Sequence, residues 1–419
     1  MASQMVSVVL TDRLDRKHSL HAEAGQSVES FLFSHHIPLD AVIVRRNGKI
    51  VNEHVRMEGG DEFVFEMVRA YLLPDFLREL GAWTSADKQH AESADPHSYT
   101  KRVLWFDASG YADLAEEQIP FQEFPEFLER YFVQSVQERQ LIKEGSNIGL
   151  ALSGGRDSLS LLYLLARTRN QLPSFTLRGI TVCGLSKLPD LDVASTASEN
   201  LGVPHEFVRS EGVAGLFGLR GTVEEALEAI LRKFGRAKTI NCVHAIMRTA
   251  VERYYADHAI RTVAFGLHNE DLLASLIRSL VNGIPFGESF YRKSWGPFEL
   301  IYPLWAITKK ELTLYLEVVA PPSHSSQGSP TAYDRGGPNR DVQYLVADSL
   351  QTLWPGFSYH AFEGYQKLFT RAAVAVQHQA CRNCQGVYVA QRIDNQQDKN
   401  DLCHLCEMLD AVGELAKGI

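Results

Sequence analysis

Nowhere in these 419 residues does an apolar run reach the roughly 18 to 20 residues that a membrane-spanning helix needs, so an integral membrane protein is not expected. The beginning of the chain, Met1-Ala2-Ser3-Gln4-Met5, carries neither a basic flank nor a long apolar segment of the kind that directs secretion, and a cytoplasmic protein is expected. A basic excess is also missing: 42 Lys and Arg stand against 51 Asp and Glu, a net charge of -9. That balance argues against indiscriminate nucleic-acid binding, though it leaves room for a local basic face. No segment matches the Gly-x-x-x-x-Gly-Lys loop that grips a transferable γ-phosphate, and no internal repeat is visible. Cysteine is scarce and uneven. Cys183 and Cys242 stand alone, while Cys381, Cys384, Cys403 and Cys406 form two Cys-x-x-Cys pairs, which in a reducing compartment point to metal binding instead of disulfides. What remains is ordinary globular composition, 45% hydrophobic and 22% charged, in a chain long enough for two or three domains.

The first stretch, 1–72, reads as a small mixed domain. Strand-like runs at 6–10 and 17–20 precede a helix starting at Ser27, then strands at 42–44, 50–51 and 61–65, with Asn47-Gly48 as a hairpin turn. This order resembles a β-grasp domain of the ubiquitin-like sulfur-carrier kind. Such carriers end in a free Gly-Gly, whereas here Gly59-Gly60 falls in the turn before the last strand and the chain continues through Val68-Arg69-Ala70-Tyr71. A thiocarboxylate cannot be made from it, so a fused docking or substrate-contact module is expected.

Residues 73–124 read as a connecting segment, with a polar linker at 82–101. From 125 to 375 a helix at 125–140 is followed by apolar strands at 147–152, 179–182 and 262–265 that alternate with helical patterns, which implies an α/β fold with a doubly wound parallel sheet. A loose Ser/Pro/Gly-rich stretch at 321–341 reads as a mobile loop.

At the end of the strand at 147–152 stands Ser153-Gly154-Gly155-Arg156-Asp157-Ser158, followed by a helical pattern in Leu159, Leu162, Tyr163 and Ala166. Strand, glycine-rich turn and helix together form an anion cradle. The glycines let backbone amides approach phosphate oxygens, the helix points its positive end at them, and Ser153 and Ser158 add hydroxyl donors. The hexapeptide resembles the loop of the PP-loop ATP-pyrophosphatase superfamily, which splits ATP between the α- and β-phosphates. Two further segments, His268-Asn269-Glu270-Asp271 and Tyr302-Pro303-Leu304 with Lys309-Lys310-Glu311-Leu312, resemble motifs of the tRNA 2-thiouridine synthetases. The resemblance implies ATP and Mg²⁺, with Ser153 to Ser158 and His268 and Asn269 binding the nucleotide, Asp157 and Asp271 assisting the metal, and a tRNA uridine as acceptor. The His-Asn motif is eroded, with Leu267, Leu272 and Ser275 at its glycine, second aspartate and glutamate positions.

Within 376–419, Cys381-x-x-Cys384 and Cys403-x-x-Cys406 are separated by eighteen residues, the pattern of a four-cysteine zinc ribbon with a closed tetrahedral, structural site. An iron-sulfur cluster on the same ligands is the alternative. Cys242 precedes a helical pattern and would sit at a helix N-terminus with Arg248 two turns on, both of which favour the thiolate; a buried structural cysteine is the other reading. In the related thiolation enzymes this position carries a Cys-x-x-Cys pair, and a third cysteine comes later. Here Ala245 replaces the second and Ser326 the third, next to Ser329-Pro330-Thr331-Ala332-Tyr333. A three-cysteine cluster is therefore not available, and an external thiol, a donor protein or sulfide would have to complete sulfur release. Cys183 reads as part of an apolar strand and His35-His36 as surface. The leading expectation is an ATP-dependent adenylating sulfurtransferase with Cys242 delivering sulfur. Adenylation of a small molecule or an amine-joining reaction without sulfur, and a non-catalytic nucleotide-binding adaptor, are the alternatives, and a homodimer is compatible with the fold.

Overall fold

A computed structural model of the chain describes residues 5–11, 17–35, 37–68, 95–106, 112–185, 191–283, 286–321, 338–372, 378–389 and 401–416. The first unit is a five-stranded mixed sheet built from β1 (Met5–Thr11), β2 (Lys17–Glu23), β3 (Val42–Arg46), β4 (Lys49–Val51) and β5 (Phe63–Met67), in the order β2-β1-β5-β3-β4. β1 and β5 run parallel and the other pairs antiparallel. The alternating burial of β5 sends Phe63, Phe65 and Met67 inward, against Phe31 and Leu32 of the crossing helix α1 (Val28–Ser34). The turn between β3 and β4 needs positive φ at both central positions, and Asn47 (φ 51) with Gly48 (φ 79) supplies it.

A long hairpin follows, β6 (Ser98–Phe106) with β7 (Ala112–Pro120), leading into α2 (Phe124–Glu138). The expected linker over 82–101 thus gives way at Ser98 to a strand; residues 82–94 lie outside the described residues. The large sheet has the order β10-β9-β8-β11-β13-β12. Its strands are β8 (Ser146–Ala151), β9 (Phe175–Val182), β10 (His205–Val208), β11 (Thr262–Ala264), β12 (Arg292–Trp295) and β13 (Phe298–Ile301), and only the β12–β13 pair is antiparallel. Around it lie α3 (Arg156–Arg167), α4 (Leu191–Asn200), α5 (Ser210–Phe217), α6 (Val223–Phe234), α7 (Arg236–Asp257), α8 (Asn269–Asn282), α9 (Lys309–Val319), α10 (Pro338–Leu353) and α11 (Phe357–Ala372). From β8 the chain winds outward through β9 to β10, then returns to place β11 on the other side of β8. The crevice between the ends of β8 and β11 is therefore a topological switch point, where open α/β sheets bind ligands. Two sequence expectations shift here: Pro338 to Asp341 begin α10 instead of ending a loop, and Cys183 lies just past β9. Ser326 and Ser329 to Tyr333 lie outside the described residues, as do His36 and Arg69 to Tyr71.

The last segment, β14 (His378–Ala380), β15 (Val387–Val389) and α12 (His404–Ala411), packs against α6 and α7. No helix among the described residues is long and apolar enough to cross a membrane.

The N-terminal sheet is joined to the large sheet through α9. Thr308 and Glu311 form a capping box at its N-terminus, in which Glu311 Oε2 accepts from Thr308 N at 2.8 Å. The other carboxylate oxygen, fully buried, accepts from Tyr99 Oη at 3.1 Å and from Lys101 Nζ at 2.6 Å, both on β6. Burial works against the Lys101 charge, but Glu311 outweighs it and holds the ammonium's pKa above its ordinary range. Arg45 of β3 pairs with Glu317 at 2.6 Å, and Lys310 Nζ donates to Leu39 O at 2.9 Å. Removing one partner of a buried charged pair leaves the other unsatisfied. Glu311→Ala is therefore expected to cost about 3 kcal/mol or more of stability, read as a lower denaturant midpoint with an unchanged slope.

Candidate active site

The phosphate-loop candidate sits where the sequence places it, between β8 and α3. Gly154 turns the chain at φ 78, and Gly155 is the N-cap of α3. The two serines hold the loop from inside. Ser158 Oγ lies 3.1 Å from Ser153 Oγ and donates to Gly155 O at 3.0 Å, while Ser153 N donates to Ser158 Oγ at 3.2 Å. Ser158 is buried and bound to its own loop, so it shapes the cradle; Gly155 N donates to Ser153 Oγ at 3.3 Å. Arg156 Nη1 donates to Thr313 Oγ1 of α9 at 3.3 Å.

Opposite the loop, Gly266 follows β11 by two residues. A Cβ there would fall 3.0 Å from Asp157 C and Ser158 N, both backbone atoms, so glycine lets this stretch approach the first turn of α3 closely. The next residues start α8, with His268 as N-cap and Asp271 closing a capping box. Asp157, His268 and Asp271 offer ligand atoms that all lie within 4.8 Å of one another, a set able to hold a metal ion. His268 is buried with a carboxylate on each side: Nδ1 is 2.8 Å from Glu270 Oε2 and Nε2 is 3.1 Å from Asp271 Oδ2. Tyr344 Oη donates to Asp271 Oδ1 at 2.5 Å.

Three contributors were outside the candidate set read from the sequence. Lys309, first residue of α9, pairs with Asp157, and its backbone N–H donates to both Glu270 oxygens at 3.1 Å. Glu270 therefore ties the His268 ring to the start of α9. Tyr344 reaches in from α10. The Lys-Lys-Glu segment was the available signal for Lys309 and the His-Asn-Glu-Asp segment for Glu270; nothing local marks Tyr344.

Asn269 departs from its expected role at the nucleotide. It is 4% exposed, and its amide donates to Trp305 O (3.0 Å) and Ser358 Oγ (2.7 Å) and accepts from Gln351 Nε2 (2.7 Å). Both ends are spent fastening α8 to α10 and α11. Cys242 departs further. α7 begins at Arg236, so the cysteine lies in its second turn and not at its N-terminus. It is 3% exposed, its Sγ is 3.7 Å from Met408 Sδ of α12, and burial pushes its thiol up to about 12, so it is not a thiolate at neutral pH. Cys183, half-buried, has a thiol raised by desolvation.

Cys381, Cys384, Cys403 and Cys406 converge, with their four sulfurs within 4.8 Å of one another and Cys384 Sγ 3.8 Å from Cys403 Sγ. Cys403 N donates to Cys381 Sγ at 3.3 Å and Asn383 Nδ2 to Cys406 Sγ at 3.4 Å, outer bonds that suit thiolates.

A family model described as asparagine synthase matches residues 128–232, which contain the loop. The tRNA-cytidine(32) 2-sulfurtransferase of Methylococcus capsulatus is 25% identical over 170 residues, 40% of this chain and 54% of that protein, so the match spans about half the relative's length. The tRNA-5-methyluridine(54) 2-sulfurtransferase of Pyrococcus horikoshii is 22% identical over 294 residues, 68% of this chain and 86% of that one. Among solved structures, the U34-tRNA thiolase NcsA from Methanococcus maripaludis with its [4Fe-4S] cluster has a TM-score of 0.53 at 21% identity, covering 74% of this chain and 94% of its own.

Gly266→Ala is expected to force the loop backbone apart and weaken ATP binding roughly tenfold or more, for a stability cost of about 1–3 kcal/mol. Equilibrium ATP binding and thermal melting check both.

Proposed function

We propose that this PP-loop relative of the tRNA sulfurtransferases is an ATP-dependent enzyme that activates a tRNA pyrimidine carbonyl as an adenylate before sulfur insertion. The observation that carries the reading is the convergence of the loop backbone, Asp157, His268 and Asp271 on one crevice at the switch point. ATP would lie with its pyrophosphate on the loop and the α3 N-terminus, where the positive end of the helix dipole favours negative charge. The acceptor's carbonyl oxygen attacks the α-phosphorus and pyrophosphate leaves. A sulfur nucleophile then attacks the activated carbon and AMP departs with the oxygen. Lys309 supplies a positive charge beside Asp157 against the charge that builds on pyrophosphate. Asp157 and Asp271 would hold Mg²⁺, which supplies charge neutralisation on the phosphates; His268, fixed by Glu270, orients Asp271.

The buried, neutral thiol of Cys242 supports sulfur delivery from outside the chain, as sulfide or from a donor protein. With Ala245 in place of a second cysteine, the chain does not supply the Cys-x-x-Cys half of a family-type cluster. That same loss favours a second reading, in which the adenylate is met by an amine or forms on a small molecule and no sulfur moves. The order of the N-terminal strands around α1 supports a fused β-grasp unit over 1–72, followed by a connecting hairpin, a PP-loop domain over 125–375 and a metal-binding segment over 376–419.

For that segment we propose zinc. Four thiolates about 2.3 Å from one ion stand about 3.8 Å apart, which matches the sulfur spacing here, whereas the thiolates of a cubane cluster sit on four separate irons and stand wider. Elemental analysis is expected to give one zinc per chain, with no iron and no visible charge-transfer band.

The function is tested with purified protein, tRNA, ATP and sulfide. Expected products are AMP, pyrophosphate and a thiolated pyrimidine seen by nucleoside mass spectrometry. Asp157→Ala is expected to lower AMP formation roughly a hundredfold or more, and Cys242→Ser to leave it within about twofold. AMP without thiolated nucleoside selects the second reading, and absence of AMP release removes both.

A further inference from the structure

Away from the switch point, three elements bring an unusual set of side chains together. α7 supplies Arg248 and Glu252, β12 supplies Lys293 and Trp295, and β14 supplies His378. The Trp295 ring is the centre. The Arg248 guanidinium lies 4.3 Å and the Lys293 ammonium 4.4 Å from its centroid, and the His378 ring meets it edge-on at 4.9 Å. The Phe286 ring closes another side, 5.1 Å from Lys293 Nζ.

Donors outnumber acceptors at this point. Lys293 Nζ makes no hydrogen bond or ion pair among the described residues, and its ammonium is enclosed. Its stem lies against Gly287, where a Cβ would fall 2.9 Å from Lys293 Cγ. His378 Nε2 is buried without a hydrogen-bond partner, while Arg248 Nε stands 3.3 Å from Glu252 Oε1 as an ion pair and the Trp295 indole N–H faces the same carboxylate. The other Glu252 oxygen accepts from Val387 N at 3.4 Å. Glu288 is the other acid and Arg278 a third cation acting on Lys293. Desolvation first, then Arg248, pushes the Lys293 ammonium down to about 7, and desolvation pushes Glu252 up to about 7. Buried donors left unpaired carry a desolvation cost, which an acceptor bound among them would offset. Two cations held by the faces of aromatic rings suit an oxyanion. Arg248, one third exposed, leaves the way in from solvent.

We propose that Lys293 and Arg248, held against the Trp295 ring, form a second anion-binding site, for a phosphate-class oxyanion, distinct from the nucleotide crevice. The oxyanion is either a free phosphate or a phosphodiester of an RNA backbone; the chemistry of recognition is shared. The site stands independently of the reading of the nucleotide crevice, since it uses none of its residues.

Pyridoxal 5′-phosphate tests it on the full chain. Its aldehyde condenses with an unprotonated lysine amine, losing water, and borohydride fixes the imine for peptide mapping. Lys293 is expected to be labelled in preference to the exposed Lys143, with pyridoxal lacking the phosphate labelling it roughly fivefold less. Inorganic phosphate is expected to protect Lys293. Protection by tRNA at far lower concentration than inorganic phosphate assigns the phosphodiester source, and protection by inorganic phosphate alone assigns the free anion. A second measurement avoids labelling altogether: inorganic phosphate is expected to raise the melting temperature of the wild-type chain, and the shift is lost in Lys293→Met and reduced in Arg248→Gln. Equal labelling by pyridoxal and its phosphate, no protection by either phosphate source, or an unchanged phosphate shift in Lys293→Met overturns the proposal.

Discussion

A single buried carboxylate holds the halves of this molecule in register. Glu311 closes the capping box of α9 with one oxygen and receives Tyr99 and Lys101 of the long hairpin with the other. A carboxylate out of water is costly unless its lone pairs are filled, and here the donors to one of its oxygens come from a hairpin that must be docked to supply them. The same helix end carries Lys309, whose side chain meets Asp157 and whose amide meets Glu270. The docking of the N-terminal sheet and the shape of the crevice are therefore parts of one network, running from Arg45 and Leu39 through α9 to His268 and Asp271.

That coupling gives the N-terminal sheet a fixed place. Ile43 and Val68 join the large apolar core instead of the sheet's own, so its outer edge is continuous with the main body. A unit bound by an ion pair, a lysine-to-carbonyl bond and shared core residues is a fixed wall of the main body. A carrier that must leave to be recharged would meet the opposite requirement.

The crevice itself shows how a strand-to-helix junction becomes chemistry. The serines bond within their own loop and fix its shape; Gly266 allows the chain after the neighbouring strand to close in; and the capping box of α8 places Asp271 beside the loop. The metal-binding segment has another task. With Met408 against Cys242 and Val387 against Glu252, it seals the face of α7 that a reactive cysteine would need open.

The sequence by itself determined what is local. The six residues of the loop, the alternation of strands and helices, the Asn47-Gly48 turn and the two Cys-x-x-Cys pairs each carry their geometry within a few neighbouring residues, because glycine conformation, helix periodicity and chelate spacing are short-range properties. Tertiary structure alone decided which side chains share the crevice and which are shut away. Lys309, Glu270 and Tyr344 enter from separate elements, Asn269 is consumed by Trp305, Gln351 and Ser358, and Cys242 is neutral because α12 covers it. Burial and charge at a residue depend on what distant segments lay upon it, and no spacing within the chain states that.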